Sequence, residues 1–173
     1  MKSKMRIAVL LYAFIAALPG RSAAAEGPAV TVVGWIERVS LGVERVRVKA
    51  KLDTGATTSS LHASDLRWSV RDDGDWVAFE VVGEDGKTVH FERKVVRIAS
   101  IKQRGGRPPQ KRPTVIIGVC LGNSYRLTEV NLVDRAGFNY QFLVGRKFLS
   151  GLFAVDSALT STVEPGCGQA GTQ

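Results

Sequence analysis

The 173-residue chain carries 24 Lys and Arg against 16 Asp and Glu, a formal net charge of +8, with 45% hydrophobic residues and two cysteines. That apolar share excludes a disordered polyelectrolyte, and two cysteines exclude a disulfide-stapled miniprotein. The length suits one domain with its own core.

The chain opens with a targeting layout. Lys2, Lys4 and Arg6 precede an uninterrupted apolar run from Ile7 to Leu18, Pro19 and Gly20 break it, and Ala23-Ala24-Ala25 supplies small residues before Glu26. This predicts a signal peptide over residues 1–25, cleaved near Ala25, and a periplasmic or secreted mature chain. The run is far shorter than the roughly 20 residues a membrane span needs, so no stable membrane anchor is expected. Lys2, Lys4, Arg6 and Arg21 leave with that segment, and the charge of +8 falls by these four to +4. Much of the basicity is therefore a targeting signal, which weakens any case for a nucleic-acid partner.

Beyond it, helical periodicity is nearly absent and period-two alternation recurs. Val30 to Val39 reads as a strand closed by a turn near Gly42. Val43 to Leu52 sets Val46, Val48, Ala50 and Leu52 on one face and Arg45, Arg47, Lys49 and Lys51 on the other. This half-buried strand delivers Asp53-Thr54-Gly55 at its end. His62 to Leu66 is predicted to make one helical turn. Trp76 to Val82 and Lys87 to Val96 form a hairpin across Gly83-Glu84-Asp85-Gly86. Thr114 to Leu121 pairs with Tyr125 to Val133 across Gly122-Asn123, and Asp134 to Gly137 turns the chain again. Tyr140 to Val144, a helical piece from Arg146 to Ser150 and a strand from Leu152 to Asp156 complete the pattern. Many short strands with close turn signals predict an all-β fold, a barrel or a sandwich. The domain spans residues 26–163. Residues 164–173 read as a disordered tail on their Gly, Gln, Thr and Pro content.

Between Lys102 and Pro113 the chain reads KQRGGRPPQKRP, with five basic residues, no acids, two glycines and three prolines. It is depleted in backbone donors and repels itself, so it reads as a mobile loop. Lys102, Arg104, Arg107, Lys111 and Arg112 are candidate substrate-facing residues that would favour acidic ligands. No aromatic residues interleave to stack on bases, so no nucleic acid is expected there. Cys120 reads as core and Cys167 as part of the tail. Whether they pair stays open.

The chemistry centres on Asp53-Thr54-Gly55. Hydrolysing a peptide bond with carboxylates needs two of them close together, one protonated and one charged, because like charges at that distance cannot both ionise. With one such tripeptide, the second carboxylate must come from another copy across a two-fold axis. KLDTGATTSSL resembles the active-site segment of retropepsins, the retrovirus-type aspartic proteases. Phe142-Leu143-Val144-Gly145-Arg146 resembles their later apolar-apolar-Gly-Arg element. More closely, residues 35–162 resemble a bacterial retropepsin-like family whose members often carry the label "ATP-dependent zinc protease". The matching pieces are AKLDTGATTSSLHA, EVNLVDRAGFNYQFLVGRKFLSG and FAVDSALTS.

The resemblance implies an all-β, retropepsin-like closed barrel with one short helix near the C-terminus, working as a homodimeric aspartic endopeptidase. Asp53 would be the catalytic aspartate of each half-site. Thr54 would brace the loops across the dimer, and Gly55 would allow their close approach. Ala56 brings no side-chain hydroxyl to the carboxylate, so a working pH nearer neutral is expected. Gly145 and Arg146 would support the loop from behind. Retroviral proteases place an acid where Thr57 stands, so Arg146 is left to find another partner, such as Asp134 or Asp156. Family members often occur beside glutamate-ligase-like enzymes, which suggests acidic or glutamyl-containing peptide substrates.

The alternative is a non-catalytic β-barrel module that binds peptides or anionic partners through the basic loop. No metal or other cofactor is expected. His62 and His90 are the only histidines, and neither HExxH nor CxxC occurs. Gly83 to Thr88 only ends like a phosphate loop, with Val81 where the first glycine belongs. Asp156-Ser157-Ala158 follows the Gly-Arg element too closely to be a second catalytic lobe.

Overall fold

The computed structural model describes residues 29–103 and 105–168. The predicted signal peptide, Arg104 and residues 169–173 lie outside them. The elements in chain order are β1 Thr31–Leu41, β2 Val46–Leu52, β3 Ser59–His62, β4 Ser64–Arg71, β5 Gly74–Val82, β6 Thr88–Ile101, β7 Gln110–Leu121, β8 Ser124–Val133, β9 Phe142–Val144, α1 Arg146–Leu149 and β10 Phe153–Thr160.

The ten strands form one mixed sheet in the order β10-β1-β2-β9-β3-β8-β7-β6-β5-β4. The fold is all-β and barrel-like, because β1 also pairs with β7 and curls the sheet into a partial ring. That closing seam is narrow: Ser40 opposes Cys120, and Leu41 opposes Val119. The Gly42 N–H extends it by donating to the Gly118 carbonyl at 2.8 Å.

Alternation drives this arrangement. Val46, Val48, Ala50 and Leu52 are buried while Arg47 and Lys49 face solvent. The core joins them to Val39, Leu61, Ile117, Leu132, Phe142 and Phe148. Phe148 of α1 stacks on Phe153 of β10 with ring centroids 5.9 Å apart, which fastens the helix to the barrel. Beyond the ring, β4, β5 and the first half of β6 make an antiparallel meander, its inner face built on Val77, Phe79, Val81 and Phe91.

Several expectations are corrected. The helical turn predicted over His62 to Leu66 is a strand corner, with β3 ending at His62, β4 beginning at Ser64 and Asp65 at φ 49°. Ser59, Ser60 and Leu61 are all buried, so β3 carries no alternation to read. The second strand starts at Val46 rather than Val43, since Gly42 to Arg45 is a turn with both end residues at positive φ. The basic loop is shorter than residues 102–113, because Gln110 to Pro113 already belong to β7 and pair with β6. Pro113 is tolerated there because the β8 ladder begins only at Thr114.

The end of the described chain is also unlike a disordered tail. Cys120 and Cys167 form a disulfide. Glu164 pairs with Arg38 at 2.9 Å, and the Gly166 N–H donates to the Gly122 carbonyl at 2.8 Å. Composition hides this, since none of these anchors is local in sequence.

Candidate active site

β2 runs parallel to β9, with Leu52 opposite Val144. The pairing continues one residue on, where the Asp53 N–H donates to the Val144 carbonyl at 2.8 Å. The chain then turns sharply. Asp53 Oδ1 accepts the backbone N–H of Gly55 at 2.8 Å and of Ala56 at 3.1 Å. Asp53 is half-buried, and Thr54 and Gly55 at the loop tip are exposed. One carboxylate oxygen is thus held by the loop's own backbone, while Oδ2 takes no hydrogen bond among the described residues. Ala56 contributes through its N–H where a side-chain hydroxyl is absent. A Cβ on Gly55 would stand 3.1 Å from Asp53 Oδ1, a tight contact with the oxygen that the loop N–H groups hold.

α1 holds the loop from behind. The N–H groups of Arg146 and Lys147 donate to the carbonyls of Ala56 and Thr57 at 2.9 and 3.0 Å. The Arg146 guanidinium donates to the carbonyls of Thr54 at 2.9 Å and Gly55 at 2.8 Å, and to Thr57 Oγ1 at 3.0 Å. Arg146 therefore binds neither Asp134 nor Asp156. It clamps the Asp53 loop directly, and the Thr57 hydroxyl accepts where an acid was missing. Gly145 makes this approach feasible: a Cβ there would lie 2.8 Å from the Thr58 carbonyl carbon and 3.0 Å from the Thr57 oxygen. Its N–H donates to buried Ser59 Oγ at 3.1 Å. At the other end of α1, Arg126 of β8 donates to the carbonyls of Lys147, Phe148 and Ser150 at 2.9 to 3.3 Å.

A polar array continues along β8. Glu129 accepts from Arg97 at 2.6 Å and Lys147 at 3.0 Å, and these two hydrogen bonds hold its carboxyl below the ordinary glutamate range. Ser60 Oγ donates to Asn131 Oδ1 at 2.9 Å, and Asn131 Nδ2 donates to the Ser59 carbonyl at 2.8 Å. Arg112 reaches the same Asn131 oxygen at 3.3 Å and grips Gln110. Opposite Asn131 in register, Thr114 is buried with its Oγ1 unpartnered among the described residues. Arg135 donates to the Tyr140 carbonyl at 3.2 Å and lies over the Phe138 ring. Burial lowers the Arg135 pKa, the charge of Arg112 lowers it further, and the charge of Asp53 raises it. Arg135 thus lies within electrostatic reach of both Arg112 and Asp53.

The structure gathers Asp53, Thr54, Gly55, Ala56, Gly145 and Arg146 into one loop-and-clamp unit. The predicted basic set divides. Lys102 and Arg107 lie on the 102–109 loop, Lys111 stands on β7 opposite Ser100, and Arg112 turns toward Asn131. Arg97, Arg126, Asn131 and Arg135 are site residues that motif reading passes over. Asn131 and Arg135 lie inside the matched run EVNLVDRAGFNYQ, the one signal that pointed at them. The Gly83 to Thr88 segment is a hairpin turn, with the Gly83 N–H on the Lys87 carbonyl at 2.8 Å. Asp156 closes an Asx turn by accepting the Ala158 N–H at 2.8 Å. No group of three or more His, Cys, Asp or Glu placed to hold a metal ion occurs among the described residues.

The chain is similar to known proteins over most of its described length. A family model described as RimB-like, retropepsin-like aspartic endopeptidase RimB, matches residues 32–165. Two curated relatives carry the name "Probable alpha-L-glutamate ligase". The one from Shewanella pealeana is 34% identical over 125 residues, covering 70% of this chain and 27% of that protein. The one from Desulfotalea psychrophila is 30% identical over 128 residues, covering 72% and 27%. The chain thus spans about a quarter of the length of these relatives. Among solved structures, Lpg0085 of Legionella pneumophila, described as a protein with unknown function (DUF785), superposes with a TM-score of 0.68. It is 32% identical, and the match covers 79% of this chain and all of that one.

Proposed function

The chain belongs to the RimB-like family of retropepsin-like proteins, and from that premise we propose that it is an aspartic endopeptidase acting as a homodimer in the periplasm or outside the cell. The observation that carries this reading is the state of Asp53. Backbone N–H groups fix one carboxylate oxygen, the other is unbonded among the described residues, and the loop is clamped from behind by Arg146. Two such loops meeting across a two-fold axis would bring two Asp53 carboxylates together, and the pair would share one proton. The ionised member takes a proton from a water held between them as that water attacks the scissile carbonyl. The protonated member hydrogen-bonds the carbonyl oxygen and stabilises the tetrahedral intermediate. Collapse then breaks the C–N bond as the leaving amine gains a proton.

Acidic or glutamyl-containing peptides are the proposed substrates. Arg135, within electrostatic reach of Asp53 and of Arg112, would with Arg112 attract carboxylate side chains, and the name of the relatives, in which a like segment occupies about a quarter of the chain, speaks of glutamate ligation. The test is cleavage of a peptide library near pH 5 to 7 by wild type and Asp53→Asn. The substitution should abolish cleavage with the fold intact, whereas equal cleavage by both proteins would remove the activity from Asp53. A second reading, a binding module for anionic peptides, rests on the same two arginines. It predicts that Asp53→Asn binds acidic peptides while neither protein cleaves them.

A further inference from the structure

We propose that the Cys120–Cys167 disulfide is a redox lock on the seam where the barrel closes, and that it secures the hydrogen-bond donors of a buried carboxylate on the strand that pairs with β2. This stands apart from the proteolytic reading, because its readouts require no catalysis.

The seam between β1 and β7 is only two paired residues wide, and Cys120 is one of the four residues in it. Residues 161–168 form a strap across it. At one end the Ser161 N–H donates to the Ile36 carbonyl of β1 at 2.8 Å. Midway, Arg38 of β1 pairs with Glu164 at 2.9 Å. At the far end the Gly166 N–H donates to the Gly122 carbonyl in the β7–β8 turn at 2.8 Å, and Cys167 is bonded to Cys120. The strap ties together two strands whose own pairing is only two residues long.

Glu37 of β1 makes the strap more than a cross-link. It is fully buried, opposite Ala50 on β2. Its carboxylate accepts the Thr162 hydroxyl at 2.6 Å, the Thr162 N–H at 2.9 and 3.0 Å, and the Val163 N–H at 3.3 Å. Only the Gly34 N–H, at 2.8 Å, comes from its own strand. No cation pairs with Glu37 among the described residues, so the strap supplies nearly everything that solvates this carboxylate. A buried carboxylate without donors is strongly unfavourable. Releasing the strap therefore leaves β1 with a group that the folded barrel tolerates poorly.

The far end of the strap is held mainly by these specific bonds. A cavity of about 420 Å³ opens between it and the β1–β2 turn, lined by Ser40, Arg45, Arg47, Tyr125 and Cys167 among others. In forming the lock, two thiols surrender two protons and two electrons by exchange with an environmental disulfide, which leaves as a dithiol. A dithiol reductant reverses the step. Export into an oxidising compartment would thus complete the barrel.

Amide exchange on the wild-type chain, oxidised and then reduced with a phosphine, reads the lock. Reduction should cut protection of the Thr162 and Val163 amides by roughly tenfold or more and lower the urea midpoint. The double variant C120A/C167A should match the reduced protein and ignore reductant. Glu37→Gln supplies the distinguishing sign. It should destabilise the oxidised protein, whose donors suit a carboxylate, and should cost less, or stabilise, once the strap is released. Unchanged amide protection on reduction would overturn the proposal, as would an equal Glu37→Gln shift in both redox states. If Glu37→Gln does not fold, the wild-type exchange measurement decides alone.

Discussion

Arg146 meets three acceptors of the Asp53 loop with one planar fork, and two of them are backbone carbonyls that no substitution can remove. Lysine offers a point charge and no fixed fork, so Arg146→Lys should not rescue what Arg146→Ala loses. Both should lower stability by about 1–2 kcal/mol, in line with hydrogen bonds from a charged group, and both should depress cleavage more than binding. Urea melts beside steady-state kinetics check this. Glu129 gives a pH signature. Hydrogen bonds from Arg97 and Lys147 hold its folded pKa below the ordinary glutamate value. A depressed carboxylate contributes stability that is full above its unfolded pKa and lost as pH falls through the folded one. Stability should therefore decline on acidification below the ordinary glutamate range, and Glu129→Gln should flatten that part of the profile. Asp53 was legible as a carboxylate at a strand end, and Arg146 through the resemblance to the retropepsin Gly-Arg element. The partner of Arg146 was not, because carbonyls of Thr54 and Gly55 have no letter of their own.

β2, β9 and α1 together decide where the carboxylate goes. β2 and β9 run side by side and end together, and Gly145 then lets α1 seat directly on Thr57 and Thr58. Gly145→Ala drives a methyl against backbone, which cannot yield as a flexible side chain would. A loss of about 1–3 kcal/mol is expected, with activity falling further than stability because the loop moves with the helix. Thermal melts and cleavage rates on one preparation test it. Most strands were readable because alternation encodes a sheet with one buried face. β3 escaped because it is buried throughout, and β4 because it is exposed nearly throughout. Neither leaves a period-two signal. The basic segment was readable as irregular, yet its last four residues join β7 because β6 offers a ladder there.

At the scale of the molecule, one Asp-Thr-Gly makes two copies a requirement of the proposed chemistry. Mixing wild type with Asp53→Asn under subunit exchange should lower activity as the square of the wild-type fraction, since a mixed pair holds one catalytic carboxylate. A linear decline would mean that single chains act alone. Pattern and turn residues sufficed for the all-β class and for the strand that carries Asp53, and resemblance to the retropepsin segment pointed to the Gly-Arg element behind it. These are local properties, written in neighbouring side chains. The acceptors of Arg146, the Cys120–Cys167 bond and the Thr162 and Val163 donors of Glu37 could not be read that way. Each joins residues far apart in the chain, and only the curl of the sheet brings them within hydrogen-bonding reach.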